Sequence, residues 1–483
     1  MSATRRRMKA IASARLAPLL CALAALAGCG EPSATSAPTT AAGAADARAH
    51  NVVLVVIDTL RADHLSLYGH ARATTPRIDA WAAGGTVYER AYAPAPWTLS
   101  SMTMLFTGRQ ILRRSGVRDA ERVTLAERLQ QHGFQTGGVV ANGLLRAQFG
   151  WSRGFDHYDQ DVDKNDALRD DGWSGEQVVQ KGLDWLARRD ERPFFLYLHL
   201  LDPHYPYRPE PDDAFAPLDT PERQAAFAAA LPAAERARLT RDAYAGIERE
   251  IANYDAELRG ADRALGRLFD ALDAQGLADD TLVIVTSDHG ECLWQRPMVA
   301  NPGRFQKCHF PLLFSTHGEL VYEELVHVPL VMRGPGVPRG LRSRADASLL
   351  DIAPTVLAHF DLPALPRPGG RPLDPRDEKP RHERFAIFDT ACALTIDGRY
   401  KLHVFRGRHD ATEWQPSELY DLAADPGELA PLDDPARTAD MRARIDAWMK
   451  ERAELDAPAT EDELRALRAM GYLGDEPAPQ SQR

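Results

Sequence analysis

Three apolar runs in this sequence end in residues that bind metals or move protons. Asn51–Ile57 (NVVLVVI) leads directly into Asp58, and Thr281–Ser287 (TLVIVTS) leads into Asp288 and His289. Phe194–Leu200 (FFLYLHL) carries His199 and continues to Asp202, Pro203 and His204. An Asp after a strand often does no more than cap the next helix, so one such ending would mean little. Three of them predict carboxylates and imidazoles converging on one edge of a sheet. That donor set suits a divalent cation: Ca, Mg or Mn where oxygen dominates, Zn where two or three histidines join. His199 alternates with Tyr197 along its strand and is read as a packed core histidine rather than a ligand.

The same runs predict the elements that must hold these groups. They are short, continuous and rich in Val, Ile and Leu, as strands buried on both faces are. Gly138–Ala141 and Val328–Met332 read the same way. Thr124–His132 and Tyr254–Leu272 carry helical spacing without an internal proline. Strands separated by helices imply an α/β fold: a doubly wound, mixed but mainly parallel sheet flanked by helices. Active sites of such sheets lie beyond the carboxyl ends of the strands, where Asp58 and Asp288 stand.

Composition narrows the function. The chain has 483 residues, a formal charge of −11, 44% hydrophobic and 26% charged residues, as a globular protein does. An acidic balance argues against a nucleic-acid partner. The length fits one large core with a smaller appendage. Residues 1–29 read as an export signal: Arg5, Arg6, Arg7, Lys9 and Arg15 precede an apolar stretch from Leu16 to Leu26, too short for a membrane span. It ends in Leu26-Ala27-Gly28-Cys29, which resembles a bacterial lipoprotein box with Cys29 as the lipid attachment residue. The expectation is an exported lipoprotein, periplasmic or at the cell surface, held to the membrane by its lipid alone. Residues 30–50, rich in Ala, Ser, Thr, Pro and Gly, form a flexible tether. Of the five cysteines, Cys292 and Cys308 are candidates for a short disulfide loop.

Longer motifs extend the metal-site reading. Asp58-Thr59-Leu60-Arg61-Ala62-Asp63-His64, Thr75-Pro76, Thr107-Gly108-Arg109 and Asp202-Pro203-His204 resemble sulfatase-like hydrolases of the alkaline phosphatase superfamily. Ser287-Asp288-His289-Gly290-Glu291, His317-Gly318, Val328-Pro329-Leu330, Glu418-Leu419-Tyr420-Asp421-Leu422 and the tail Leu467–Leu473 continue the likeness. The resemblance implies a catalytic domain over 51–363, a connector over 364–384, a smaller C-terminal α+β subdomain over 385–475 and a tail over 476–483.

It also implies a nucleophile ten residues before Gly108, which is Thr98. Sulfatases place there a Cys or Ser that becomes formylglycine, within a Cys/Ser-x-Pro-x-Arg motif. This chain has Ser100 and Met102 where the motif has Pro and Arg, and Thr98 cannot become formylglycine. A sulfated threonine lacks the exit that a geminal diol provides, whereas a phosphorylated threonine is open to in-line attack by water. The expected activity is therefore hydrolysis of sulfate, phosphate or phosphonate esters, with phosphoesters favoured. The implied cation ligands are Asp58, Asp288, His289 and Thr98. His204 or His317 would protonate the leaving oxygen or hold a non-bridging one, and Asn142 would donate a hydrogen bond where sulfatases place a cation. A second cation held by Asp202, His204 and His317, with Asn142 nearby, is the two-metal alternative. The substrate would be a small-molecule, glycan or lipid ester. Other readings are an envelope phosphoryl-group transferase and an inactive binding protein on the same scaffold.

Overall fold

The strands with the least charge occupy the middle of the sheet. β1 (Asn51–Ile57), β5 (Phe194–Leu200) and β6 (Thr281–Ser287) are buried at every position. The computed structural model describes residues 49–453 except 113–121, 161–173, 219, 230, 232–235, 237–239, 298–312, 315–316, 319, 390 and 407–413, together with residue 465. Cys29, residues 30–48 of the expected tether, Cys308 and the Leu467–Leu473 motif lie outside the described residues. Ala49 is buried in the core and the His50 N–H donates to the Asp280 carbonyl at 2.8 Å, so the ordered fold begins before the expected end of the tether.

The remaining strands of the main sheet are β2 (Thr86–Tyr92), β3 (Gln135–Val140), β4 (His157–Asp159), β9 (His327–Arg333) and β10 (Leu341–Ser348). A two-residue ribbon, β7 (Arg296–Pro297) with β8 (Leu313–Phe314), stands apart. The order is β10-β2-β9-β6-β1-β5-β3-β4. β9 pairs antiparallel with both β2 and β6, while the other five pairings are parallel. The sheet is therefore mixed and mainly parallel, with β9 alone running against the rest. The expected strand Val328–Met332 is this reversed strand. β2 has no sequence counterpart above: TVYERAY carries Glu89 and Arg90, half-buried beside an irregular register, and this breaks the apolar run.

Side chains alternate across β1. Val52, Leu54 and Val56 pack on the helix Thr98–Thr107 through Leu99, Met102, Leu105 and Phe106. Val53, Val55 and Ile57 pack on the other face against Leu258, Leu265 and Leu268 of the helix Arg241–Ala274. Both faces are covered by helices, as a parallel sheet requires.

The Arg241–Ala274 helix starts well before the expected Tyr254. Thr240 caps it by accepting from the Ala243 N–H. Its first turns bury Ile247 and Ile251 with Tyr207, Leu231, Leu293 and Trp294. Helical spacing in this stretch is satisfied by contacts with loops, which pattern alone cannot anticipate. The Pro- and Ala-rich segment before it contains a helix, Pro221–Ala229, which brings Phe227 to the same cluster.

A second, antiparallel sheet follows. β11 (Glu383–Phe388), β12 (Ala391–Ile396), β13 (Tyr400–Arg406) and β14 (Trp414–Asp421) form a meander. Met441, Ile445 and Trp448 of the helix Pro435–Ala453 pack against it, and Met104 from the Thr98–Thr107 helix joins that core.

Candidate active site

The sheet register brings the candidate residues together. Ile57 pairs with Ser287 on one side and Leu200 on the other, and Val140 pairs with His199. The carboxyl ends of β6, β1, β5 and β3 thus present Asp288-His289, Asp58, His199 and Asn142 in adjacent positions.

The two oxygens of Asp58, which is fully buried, have different surroundings. Oδ2 accepts from Asn142 Nδ2 at 2.6 Å and from His199 Nε2 at 3.2 Å. Tyr197 OH donates to His199 Nδ1 at 2.8 Å, which fixes the ring proton on Nε2. His199 is fully buried and holds Asp58 in place, and its ring stands with Asp58 and Asp288 in one group of possible metal-ligating atoms within 4.8 Å of one another. Asp58 Oδ1 has no hydrogen-bond partner.

Asp288 repeats the pattern. Its Oδ1 accepts from the backbone N–H of His289 at 2.8 Å and of Thr59 at 3.2 Å, while Oδ2 has no hydrogen-bond partner. His289 Nδ1 donates to the Gly290 carbonyl at 2.8 Å, so Nε2 carries the lone pair. That Nε2 lies 4.0 Å from Asp58 Oδ1, 3.3 Å from Asp288 Oδ2 and 3.3 Å from Thr98 Oγ.

Four lone-pair atoms from three segments thus face one another in a buried space. Two orphaned carboxylate oxygens there are costly unless a cation lies between them. Asp58, Asp288, His289 and Thr98 fit a divalent ion by both donor chemistry and placement. Burial raises the affinity of Asp288 for a proton, and the charge of Asp58 raises it further, well above the usual carboxylate range. Burial acts on Asp58 in the same direction. The hydrogen bond from His199, the largest of the lowering influences, outweighs it with the help of the neighbouring imidazoles and holds Asp58 low. Burial, reinforced by His317, presses His289 down to about 3, the neutral form a ligand must have.

Thr98 opens its helix; Trp97 is the N-cap and makes no side-chain capping bond. The Thr98 hydroxyl is therefore not a cap. It points at His289 and lies 3.5 Å from Asn142 Nδ2, at the positive end of the helix dipole. Asn142 bonds both Asp58 and Thr98, so it belongs to this site rather than to a second one.

The second-cation arrangement is not assembled. Asp202 Oδ2 instead accepts the Gly175 N–H at 2.5 Å, at the start of the helix Gly175–Leu186. Among the described residues no metal-binding group unites Asp202, His204 and His317. Burial raises Asp202 to about 6, and Glu257 to about 8 with help from Asp202. Glu257 accepts the backbone N–H of Arg208. Because the folded state keeps protons that the unfolded chain releases, stability falls as pH rises from about 4.5 through 8. Glu257→Gln is expected to flatten that decline, checked by denaturant melts at pH 5 and pH 8; an unchanged slope would mean Glu257 is ionised in the fold.

His317 Nδ1 lies 3.3 Å from both oxygens of buried Glu291. Burial lowers its affinity for a proton, but the Glu291 charge and hydrogen bond reverse this and raise it above an ordinary histidine. Its ring centroid is 4.5 Å from that of His289 and 5.1 Å from that of His204. Glu291, present in the sequence only as the end of the Ser287-Asp288-His289-Gly290-Glu291 motif, is thus the partner that orients His317.

Other supports carry no motif. Thr59 adopts φ 54°, a left-handed conformation that a β-branched residue rarely takes. Its N–H donates to Asp288, and its carbonyl accepts from Tyr254 OH at 2.8 Å. The next turn is braced by Asp255, which accepts from His64 at 2.6 Å, His70 at 3.0 Å and Arg72 at 2.5 Å. Every oxygen of that carboxylate has a donor, so the cluster reads as a structural brace.

The family model described as Sulfatase matches residues 50–362. Arylsulfatase A of Homo sapiens is 27% identical over 469 residues, covering 80% of this chain and 84% of that protein. The phosphonate monoester hydrolase of Agrobacterium radiobacter superposes with a TM-score of 0.63 at 24% identity, covering 84% of this chain and 95% of that one. A structure solved with its substrate D-glucosamine-2-N,6-O-disulfate superposes with a TM-score of 0.61 at 20% identity, covering 85% and 99%. These two likenesses establish the shared fold, and the family match reaches from β1 to just past the helix Ile352–His359. With the two aspartates, His289 and the Thr98 hydroxyl gathered beyond that sheet, the chain belongs to the sulfatase family and is a hydrolase of sulfuric or phosphoric esters.

Proposed function

We propose that this protein hydrolyses phosphate or phosphonate esters in preference to sulfate esters, with Thr98 as the nucleophile. The observation that carries this reading is the Thr98 hydroxyl at a helix N-terminus, 3.3 Å from His289 Nε2 and beside two orphaned carboxylate oxygens. A divalent cation held by Asp58, Asp288, His289 and Thr98 would favour the Thr98 alkoxide and offset charge on the transferring group.

Thr98 gives its hydroxyl proton to solvent, Oγ attacks phosphorus, and the bond to the leaving oxygen breaks. His317, whose affinity for a proton Glu291 raises, gives that oxygen its proton. Asn142 stays within reach of Oγ and of the new ester. In the second step neutral His317 takes a proton from water as the water oxygen attacks phosphorus. The Oγ–P bond then breaks, and Thr98 Oγ takes back from solvent the proton it gave up. His204 lies beside His317 and is suited to bind a non-bridging oxygen. A glycan or other small-molecule ester is the substrate class this reading favours; the neighbour solved with a sulfated glucosamine supports a sugar ester.

The test is the metal-loaded chain on paired phosphate, phosphonate and sulfate esters of one phenol. Phosphoester turnover that exceeds sulfate turnover is the expected result. The reverse order would overturn the preference, and product appearing only on an added glycan or lipid acceptor would mean a transferase. We also propose export and lipid attachment at Cys29. No described helix is long and apolar enough to cross a membrane, so attachment would rest on the lipid. Labelled palmitate should enter the chain in a bacterial host and be lost in Cys29→Ser; equal labelling of both would refute it.

A further inference from the structure

A row of rings leads from the buried nucleophile to solvent. Thr98 meets His289, His289 packs on His317 and His317 on His204; the first two are buried and the last two half-buried. The next residue is Tyr205, 37% exposed and the one aromatic among the exposed large hydrophobic residues described. His204 Nδ1 donates to the Tyr205 carbonyl at 2.7 Å, so the two side chains are coupled through the backbone. Behind Tyr205, the Tyr207 ring meets it edge-on at 5.4 Å, and Tyr207 in turn packs edge-on against fully buried Tyr254 at 5.5 Å. A surface aromatic held this way loses little freedom when a ligand settles on it.

We propose that Tyr205 is a specificity-determining platform for the leaving group, and that the natural substrate carries a ring there. This rests on the reading above, in which His317 serves the leaving oxygen: the departing group then lies on the side of His204, the ring that meets His317, and Tyr205 is the exposed aromatic that follows His204 in the chain. The shared chemistry is a flat apolar ring face that stacks on a phenol ring. An aryl group and a sugar ring are its two sources.

Benzyl phosphate, a hexose 6-phosphate and ethyl phosphate all leave as alkoxides, so they compare the ring with little change in leaving-group chemistry. Tyr205→Ala is expected to raise KM about three- to tenfold for a ring-bearing ester with kcat little changed, and to spare ethyl phosphate. Tyr205→Phe should restore the lost affinity. A selective rise for benzyl phosphate alone indicates an aromatic substrate, and for the hexose ester alone a carbohydrate. An equal change in all three esters, or no change in any, overturns the platform. If the wild type turns over none of them, the hydrolytic reading has failed on its own. Calorimetric binding of benzylphosphonate against ethylphosphonate then still decides Tyr205, because a wild-type preference for the ring that Tyr205→Ala abolishes upholds the platform and its absence overturns it.

Discussion

Thr98→Ala is expected to lower phosphoester turnover by at least about a thousandfold, as loss of a nucleophile does in enzymes whose catalytic groups act as a unit. The divalent cation should stay bound, because Asp58, Asp288 and His289 keep three of the four donors. Thr98→Ser keeps the hydroxyl and is expected to retain activity within about tenfold, since the serine Oγ starts from the same helix position. Together the two variants separate nucleophile from scaffold. Side-chain truncation within a wholly buried helix also removes packing, so thermal melts of both variants belong with the kinetics. The decisive quantity is a covalent phosphoryl-enzyme, trapped by acid quench and mapped by mass spectrometry. It should sit on Thr98 in the wild type, on Ser in the serine variant and nowhere in the alanine variant. Turnover that survives Thr98→Ala would move the nucleophile to another hydroxyl; Ser100 is buried on the same first turn, and Ser101 Oγ already donates to the Asp288 carbonyl at 2.6 Å.

The parts of this site that sequence made legible are those whose positions follow from strand ends. Asp58 and Asp288 each close a run buried at every position, and a parallel register sets such ends side by side. The doubly wound fold was legible for the same reason: apolar runs of strand length alternate with helical spacing. What escaped depends on side-chain direction. Asp202 follows its strand by the same logic as Asp58, yet it turns to the Gly175 N–H, a donor from a helix no local pattern links to it. The value of Glu291 comes from His317, 26 residues away across a loop, and its contact has no periodic signature. β2 was hidden because an edge-ward strand with an irregular register tolerates Glu89 and Arg90. Tyr254 was legible as a helix residue but not as the hydroxyl that bonds Thr59 and Arg61, since that role depends on a left-handed backbone at Thr59.

Asp288→Asn tests the charge logic of the metal site independently of any substrate. In the metal-free protein Asp288 must either take up a proton, its affinity for one being raised well above the usual carboxylate range, or face Asp58 as a second buried charge, and either state costs stability. The asparagine oxygen can still accept from the His289 and Thr59 N–H groups, and its amide can donate toward Asp58 Oδ1. The metal-free variant is therefore expected to melt at or above the metal-free wild type. Cation binding should separate them in the opposite sense. At a hundredfold excess over Kd a ligand specific for the folded state stabilises it by about 2.7 kcal/mol, so the wild type should gain several degrees in Tm. The variant, having lost a charged ligand, should gain much less. Asp255→Asn provides the contrast: its carboxylate is already bonded by His64, His70 and Arg72, so its loss leaves buried donors unpaired and should cost about 3–5 kcal/mol. That cost should appear with or without cation. If Asp288→Asn instead lowers the metal-free melt while the cation response persists, Asp288 is a structural acceptor, and the cation lies elsewhere. The opposite pair of results would tie the orphaned oxygens to the ion, because only a ligand role makes one carboxylate both a burden without metal and a gain with it.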